Sequence, residues 1–230
     1  MKNVIRASLL MIMILMTPSL YAQSTTNSIY IEQVGDSSTI NIDQSGQGNQ
    51  IGSEITAFSL NGDSQTVDID QQGNENTLNG QVNGNNVNFT QTVTGNSNAV
   101  DVNIGETAAG GSTLTLAVTG DGNDVDLVQG SMSSATNVTQ DIAIVGDFNT
   151  FDGTVEADDV VNDIDITGDS NTMTMVQNGY AGKTANVALT GSTNNVSINQ
   201  TSTLNVDSIS LTSDSSNSNI TINQCDSGGC

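Results

Sequence analysis

The chain contains no histidine and no tryptophan, a single proline, and three basic residues against 25 acidic ones in 230. Without histidine, and with so few amines, nucleophilic triads and the common metal sites lack their parts. Aromatic residues make up only 3%, so a sugar-handling cleft would have no platform. No GxGxxG, Walker or EF-hand pattern appears, and the Gly-Asp-x-Asn segments lack the spacing of calcium-binding solenoid repeats. Carboxylate pairs do occur, at Asp68/Asp70, Asp124/Asp126 and Asp163/Asp165, and a glycosidase needs two carboxylates. Acids spaced by two on a strand line a single solvent face, which explains these pairs without chemistry. Nothing in the sequence supports an enzyme.

Long apolar runs are also scarce. The one that stands out, Leu9 to Met16, follows Lys2 and Arg6 and precedes a polar stretch ending at Ala22. It is too short to span a bilayer and has the layout of a cleaved secretory signal, with cleavage expected after Ala22. The expected divisions are therefore a signal at 1–22, a repeat domain at 23–224 and a cysteine-containing tail at 225–230. Loss of Lys2 and Arg6 takes the formal net charge from −22 to −24 and leaves Lys183 as the only base. A surface that negative repels nucleic acid and anionic lipid. Export to the cell surface or medium of a bacterium is the expected destination.

Only two cysteines are present, Cys225 and Cys230. In an exported protein such a pair usually forms a disulfide, with intermolecular pairing as the alternative. The loop it closes is tiny, so it pins the chain end more than it stabilises the body.

Low hydrophobicity with high net charge is a disorder signature, but this chain keeps a strict period-two alternation that disorder does not require. A fourteen-residue unit recurs, clearest as IDITGDSNTMTMVQ from Ile164 to Gln177, and again as VALTGSTNNVSINQ, LAVTGDGNDVDLVQ and FSLNGDSQTVDIDQ. Each copy reads as strand, tight arc, strand. The arc glycines align at Gly35, Gly62, Gly95, Gly120, Gly146, Gly168 and Gly191, with steps of 22 to 26 from Gly95 onward and steps of 11 in places nearer the N-terminus. Such a unit cannot bury its own apolar face and must stack on copies of itself, predicting an all-β solenoid of about nine coils with two parallel sheets.

In the unit, apolar pairs such as Val125/Leu127 and Val196/Ile198 share one face of a strand. The intervening column Asn41, Asp68, Asp101, Asp126, Asp152, Thr174, Ser197, Thr221 faces water. It is too mixed and charged for the flat threonine array that an ice-binding face would need. The closing glutamines Gln44, Gln71, Gln91, Gln129, Gln177, Gln200 and Gln224 fall on the apolar face, where a lone amide is costly and a stacked ladder of amides is not. The residue after each arc glycine (Asp36, Asp63, Asn96, Asp121, Asp147, Asp169, Ser192, Asp214) predicts a second, acidic column. Turn chemistry explains it. The competing reading is a row of carboxylates, with Asp121, Asp147 and Asp169 as candidate Ca²⁺ ligands. No other cofactor is expected.

The segments Gln33-Val-Gly35 through Gln44, Gln44-Ser-Gly46-Gln-Gly48-Asn49 and Gln71-Gln-Gly73-Asn-Glu-Asn76 resemble the curlin repeat, Gln-x-Gly-x-(Gly)-Asn followed by a strand ending in Gln. That resemblance implies a secreted subunit of bacterial extracellular amyloid fibres, folded as a β-solenoid and serving biofilm matrix, adhesion and surface attachment. The partner it implies is the chain itself. A second curlin-like subunit and a dedicated secretion apparatus come with it, and no membrane insertion. Several coils here are longer than 22 residues, and the terminal cysteines are not part of the curlin pattern. The rival reading is a non-polymerising secreted solenoid that acts as an adhesin or binding protein.

Overall fold

The computed structural model describes residues 27–225 apart from 35–36, 53–54, 56–57, 63, 74, 84–85, 96, 105–111, 121, 130–135, 147, 157, 180–181 and 202–206. The proposed signal at 1–22 and the tail beyond Cys225 lie outside the described residues.

Alternation of apolar and polar side chains produces strands throughout, and among the described residues there are seventeen. They follow one another in pairs, each pair a coil: β1 (Glu32–Val34) with β2 (Ser37–Ser45), β3 (Phe58–Asn61) with β4 (Ser64–Gln72), and β5 (Leu78–Asn83) with β6 (Asn86–Thr94). The middle coils are β7 (Val100–Ile104) with β8 (Thr113–Thr119), β9 (Gly122–Gln129) with β10 (Thr136–Val145), and β11 (Phe148–Glu156) with β12 (Asp158–Thr167). The last are β13 (Ser170–Asn178) with β14 (Thr184–Thr190), β15 (Thr193–Thr201) with β16 (Ser208–Asp214), and a lone β17 (Asn217–Cys225).

Odd strands form a nine-stranded sheet in the order β1-β3-β5-β7-β9-β11-β13-β15-β17, and even strands form an eight-stranded sheet running β2 to β16. Every pairing is parallel. The expected solenoid is therefore present, with eight coils and a half. Inward rows of both sheets meet in one continuous apolar core that contains Phe58, Phe89, Ile142, Met173 and Ile198. A smaller cluster, Val138, Val155 and Val160, sits beside it. Phe58 and Phe89 stack across the two sheets with ring centroids 6.3 Å apart.

The two connections of a coil differ. From an even to an odd strand the chain turns at a glycine in every coil but the last, where Ser215 and Ser216 join β16 to β17. These glycines stack as Gly46, Gly73, Gly95, Gly120, Gly146, Gly168 and Gly191. Each donates its N–H to the next coil, as in Gly95 N–H to the Thr119 carbonyl at 2.9 Å and Gly120 N–H to Val145 at 2.9 Å. A Cβ placed on Gly120 would land inside the van der Waals radius of the Gly95 carbonyl oxygen, and one on Gly146 would do the same to Gly120. The backbones approach too closely for any side chain. This corrects the sequence alignment of the arc glycines. Gly62 lies between β3 and β4, on the opposite arc from Gly95 to Gly191, and Gly35 is outside the described residues. The column is instead completed by Gly46 and Gly73. Steps of 11 residues near the N-terminus place the motif on both arcs in turn, and a single alignment merges them.

Candidate functional site: the open ends of the stack

Three residues after each column glycine stands an asparagine, and these asparagines form a buried spine beside the glycine arc. Asn76 donates its amide to Asn49 Oδ1 at 2.7 Å, Asn98 to Asn76 at 2.7 Å, Asn123 to Asn98, and Asn149 to Asn123. Beyond that the direction reverses: Asn171 donates to Asn194 Oδ1 at 2.8 Å, and Asn194 to Ser213 Oγ at 2.7 Å. The Gly-x-x-Asn spacing was visible in the repeat, but read as a turn signal it hid a ladder. Stacked amides satisfy one another in an interior where an unpaired one would be costly, except at the reversal, where Asn149 Oδ1 and Asn171 Oδ1 are left without a partner.

The closing glutamines do not form one column. Gln44 and Gln71 are register partners in the eight-stranded sheet, with Gln44 donating to Gln71 Oε1 at 3.4 Å. Gln177, Gln200 and Gln224 are register partners in the nine-stranded sheet, and Gln200 donates to Gln177 Oε1. Gln129 stands between Ile104 and Val155 in its row. It bonds instead to Ser112 Oγ at 3.1 Å and accepts from Gln140 of the opposite sheet at 2.7 Å. Gln91 pairs in register with Ile69, one inward position away from the Gln71 row. The same motif falls on different sheets in the early and late coils, so two short ladders replace the single one expected. The outward column also divides: Asn41 and Asp68 belong to the eight-stranded sheet, while Asp101 to Thr221 belong to the nine-stranded one.

On that outer face Asp101, Asp126 and Asp152 are direct register neighbours, with Asp124 two residues from Asp126. Burial, and then the negative charge of Asp124, Asp152 and Asp101, raises the Asp126 carboxyl above its ordinary 3.8. Of the calcium candidates, Asp121 and Asp147 lie outside the described residues. Asp169 is exposed on the glycine arc, lining a shallow trough of about 490 Å³ with Gly146, Gly168 and Gly191. Among the described residues no group of three His, Cys, Asp or Glu side chains comes together to hold a metal.

Sequence reasoning also gave no role to Lys183. It is fully buried on the arc opposite the glycines, with Nζ 3.5 Å from Asp207 Oδ1 and donating to the Gly179 carbonyl at 3.3 Å. Asp207 also accepts from the Lys183 backbone N–H at 3.2 Å. A lone base in so acidic a chain was the available signal. Cys225 is disulfide-bonded and buried at the end of β17. Cys230, the only other cysteine, lies outside the described residues.

The two ends of the stack are where this architecture leaves bonding capacity unused. Among the described residues β17 and β1 each have one unpaired edge, as do β16 and β2. In inner coils the paired aliphatics are sealed, with Val196 and Ile198 each 1% exposed. Their register partners on β17, Ile220 and Ile222, are 42% and 44% exposed. Ile209 and Leu211 on β16, and Ile40 and Ile42 on β2, are half-buried. Open parallel edges with bare apolar rows are templates for another strand. Compared with known proteins, the chain matches no family model, and no curated protein or solved structure is significantly similar to it.

Proposed function

We propose that this chain is the subunit of a bacterial extracellular, curli-like amyloid fibre in which solenoids join end to end. The fibre serves biofilm matrix, adhesion and surface attachment. The observation that carries this reading is the contrast between sealed inner coils and open, apolar end strands at both ends of the stack. An isolated solenoid leaves those rows in water. A second copy covers them and supplies the missing backbone partners. The resemblance of the N-terminal repeats to the curlin pattern supports the same reading, as does the apolar run at Leu9 to Met16, which suits export through a cleaved signal. A second curlin-like subunit and a dedicated secretion apparatus are the other partners it implies. The chain is proposed to act by assembly and not by catalysis.

The test uses secreted mature protein. Its intact mass should correspond to a chain starting at Gln23, and concentrated solutions should give unbranched fibres with a meridional reflection near ~4.7 Å. Protein that stays monomeric for days, with and without reductant, removes the fibre role and leaves the non-polymerising adhesin.

A further inference from the structure

Among the described residues the sheets contain nine and eight strands, and this inequality constrains how a second copy can join. The inference rests on the fibre reading above. Both end strands of the longer sheet carry one inward pattern. β1 and the residues before it read Asn27-x-Ile29-x-Ile31-x-Gln33, and β17 reads Ser218-x-Ile220-x-Ile222-x-Gln224. Following register partners through the sheet, the row that begins at Gln33 ends at Gln224. The first and last strands are therefore interchangeable in shape.

Two joints can be built. If β1 of an incoming copy stacks on β17, every strand is kept, but β2 of the incoming copy then stands two strand spacings from β16. The shorter sheet acquires a one-strand gap at each junction, with two unpaired edges facing a slot lined by Ile209, Leu211, Ile40 and Ile42. Unpaired backbone groups in such a slot are costly. If β1 of the incoming copy is instead lifted away and β17 takes its place, the gap disappears. β17 lies between β15 of its own chain and β3 of the next, β16 pairs directly with β2, and each copy gives eight strands to each sheet.

We propose that copies of this chain join by strand exchange, β17 of one displacing β1 of the next. The relative hold of the two strands favours this direction. β1 pairs with β3 over three register positions, with two further backbone bonds ahead of it from Asn27 and Ile29 N–H to the Gly48 and Gln50 carbonyls, while β17 pairs with β15 over nine, from Asn217 to Cys225. Gln224 then takes the place of Gln33 against Leu60, and Ile220 and Ile222 gain the cover they lack. Main-chain bonds give such a strand addition its affinity, and the alternate inward side chains give its register.

The experiment is amide hydrogen exchange on the full mature chain, as monomer and as fibre. Strand exchange predicts that residues 27–33, whose Ile29 N–H bonds to the Gln50 carbonyl at 3.0 Å, lose protection in the fibre while residues 217–225 gain it. A rise in both segments means simple stacking and overturns the proposal while leaving the fibre reading intact. As a second arm, Glu32→Cys with Ser59→Cys places thiols on register partners, ~4.8 Å apart and within disulfide reach. Oxidation should lock β1 and abolish assembly, and reduction should restore it, with unaltered protein in the same two conditions as control. A locked protein that assembles like the control overturns strand exchange. If the control forms no fibre in either condition, the fibre reading fails and the joint falls with it.

Discussion

The two arcs of each coil behave as opposite kinds of structure. On the glycine side, from β8 onward, the strands are separated by two residues each time: Thr119 to Gly122, Val145 to Phe148, Thr167 to Ser170, Thr190 to Thr193 and Asp214 to Asn217. On the other side the connection varies from one residue, between Glu156 and Asp158, to eight, between Ile104 and Thr113. From β8 onward all the length variation of the repeat is absorbed there; in the earlier coils the glycine side is longer, with twelve residues between Ser45 and Phe58 and five between Gln72 and Leu78. The difference follows from what touches what. The glycine arc is a stack of backbones in contact, tied by N–H to carbonyl bonds and flanked by buried asparagines. An insertion in one copy would break register with both neighbours. Among the described residues the opposite arc shows no such spine, and loop closure costs rise slowly with length.

The comparison breaks if the glycine arc accepts a side chain. Gly120→Ala should have the largest effect, about 4 kcal/mol or more, because the neighbouring backbone cannot move aside without shifting a coil. Thermal unfolding would show a fall in Tm of roughly 10 °C for a chain of this size. On the opposite arc the expected exception is Lys183→Met. Removing the amine leaves the buried Asp207 carboxylate without its cation, held only by the Lys183 backbone N–H, a loss of about 3 kcal/mol measurable by denaturant titration. Asn123→Ala interrupts the spine midway and strands the amides of Asn98 and Asn149, costing about 2 kcal/mol. Doubling the eight-residue connection between β7 and β8 with a Gly-Ser insertion should cost only about 0.6 kcal/mol. A loss there as large as that of Gly120→Ala would show that both arcs are equally constrained.

The smallest effect tests the acidic face. The Asp126 carboxyl is raised in the folded chain, so the native state holds its proton more tightly than the unfolded state does. That contribution is fully favourable below about 3.8, is lost as pH rises through the folded value, and leaves a repulsive charge at neutral pH. Asp126→Asn should therefore raise Tm at pH 7 by about 1–2 °C, and the gain should vanish in acid. A gain independent of pH would point away from the neighbouring Asp101, Asp124 and Asp152.

The solenoid itself was legible because alternation and repeat length are one-dimensional signals that stacking preserves. The apolar pairs Val125/Leu127, Met173/Met175 and Val196/Ile198 face the core as their spacing required. Which arc a glycine occupied was not legible, because a coil of about 22 residues contains two similar halves and the motif moves from one to the other. Gly62 and Gly95 look alike in sequence and lie on opposite sides. The same ambiguity merged glutamines of two sheets into one ladder. Asn123 and its stacked equivalents were in plain view as Gly-x-x-Asn, but a local turn and a long-range spine use the same residue. Lys183 and Asp207 are 24 residues apart and meet only because two successive coils place them together.

The measurement that most directly tests the two-arc account is residue-resolved amide exchange at Gly95, Gly120, Gly146, Gly168 and Gly191 in the monomeric chain. Their N–H groups each bond to the next coil at about 2.9–3.0 Å, so they should be protected to the level of inner-strand amides such as Val125 and Val196. Glycine amides that exchange at the rate of solvated loops would mean that the arc is an ordinary turn, and that the coils are held in register by their strands alone.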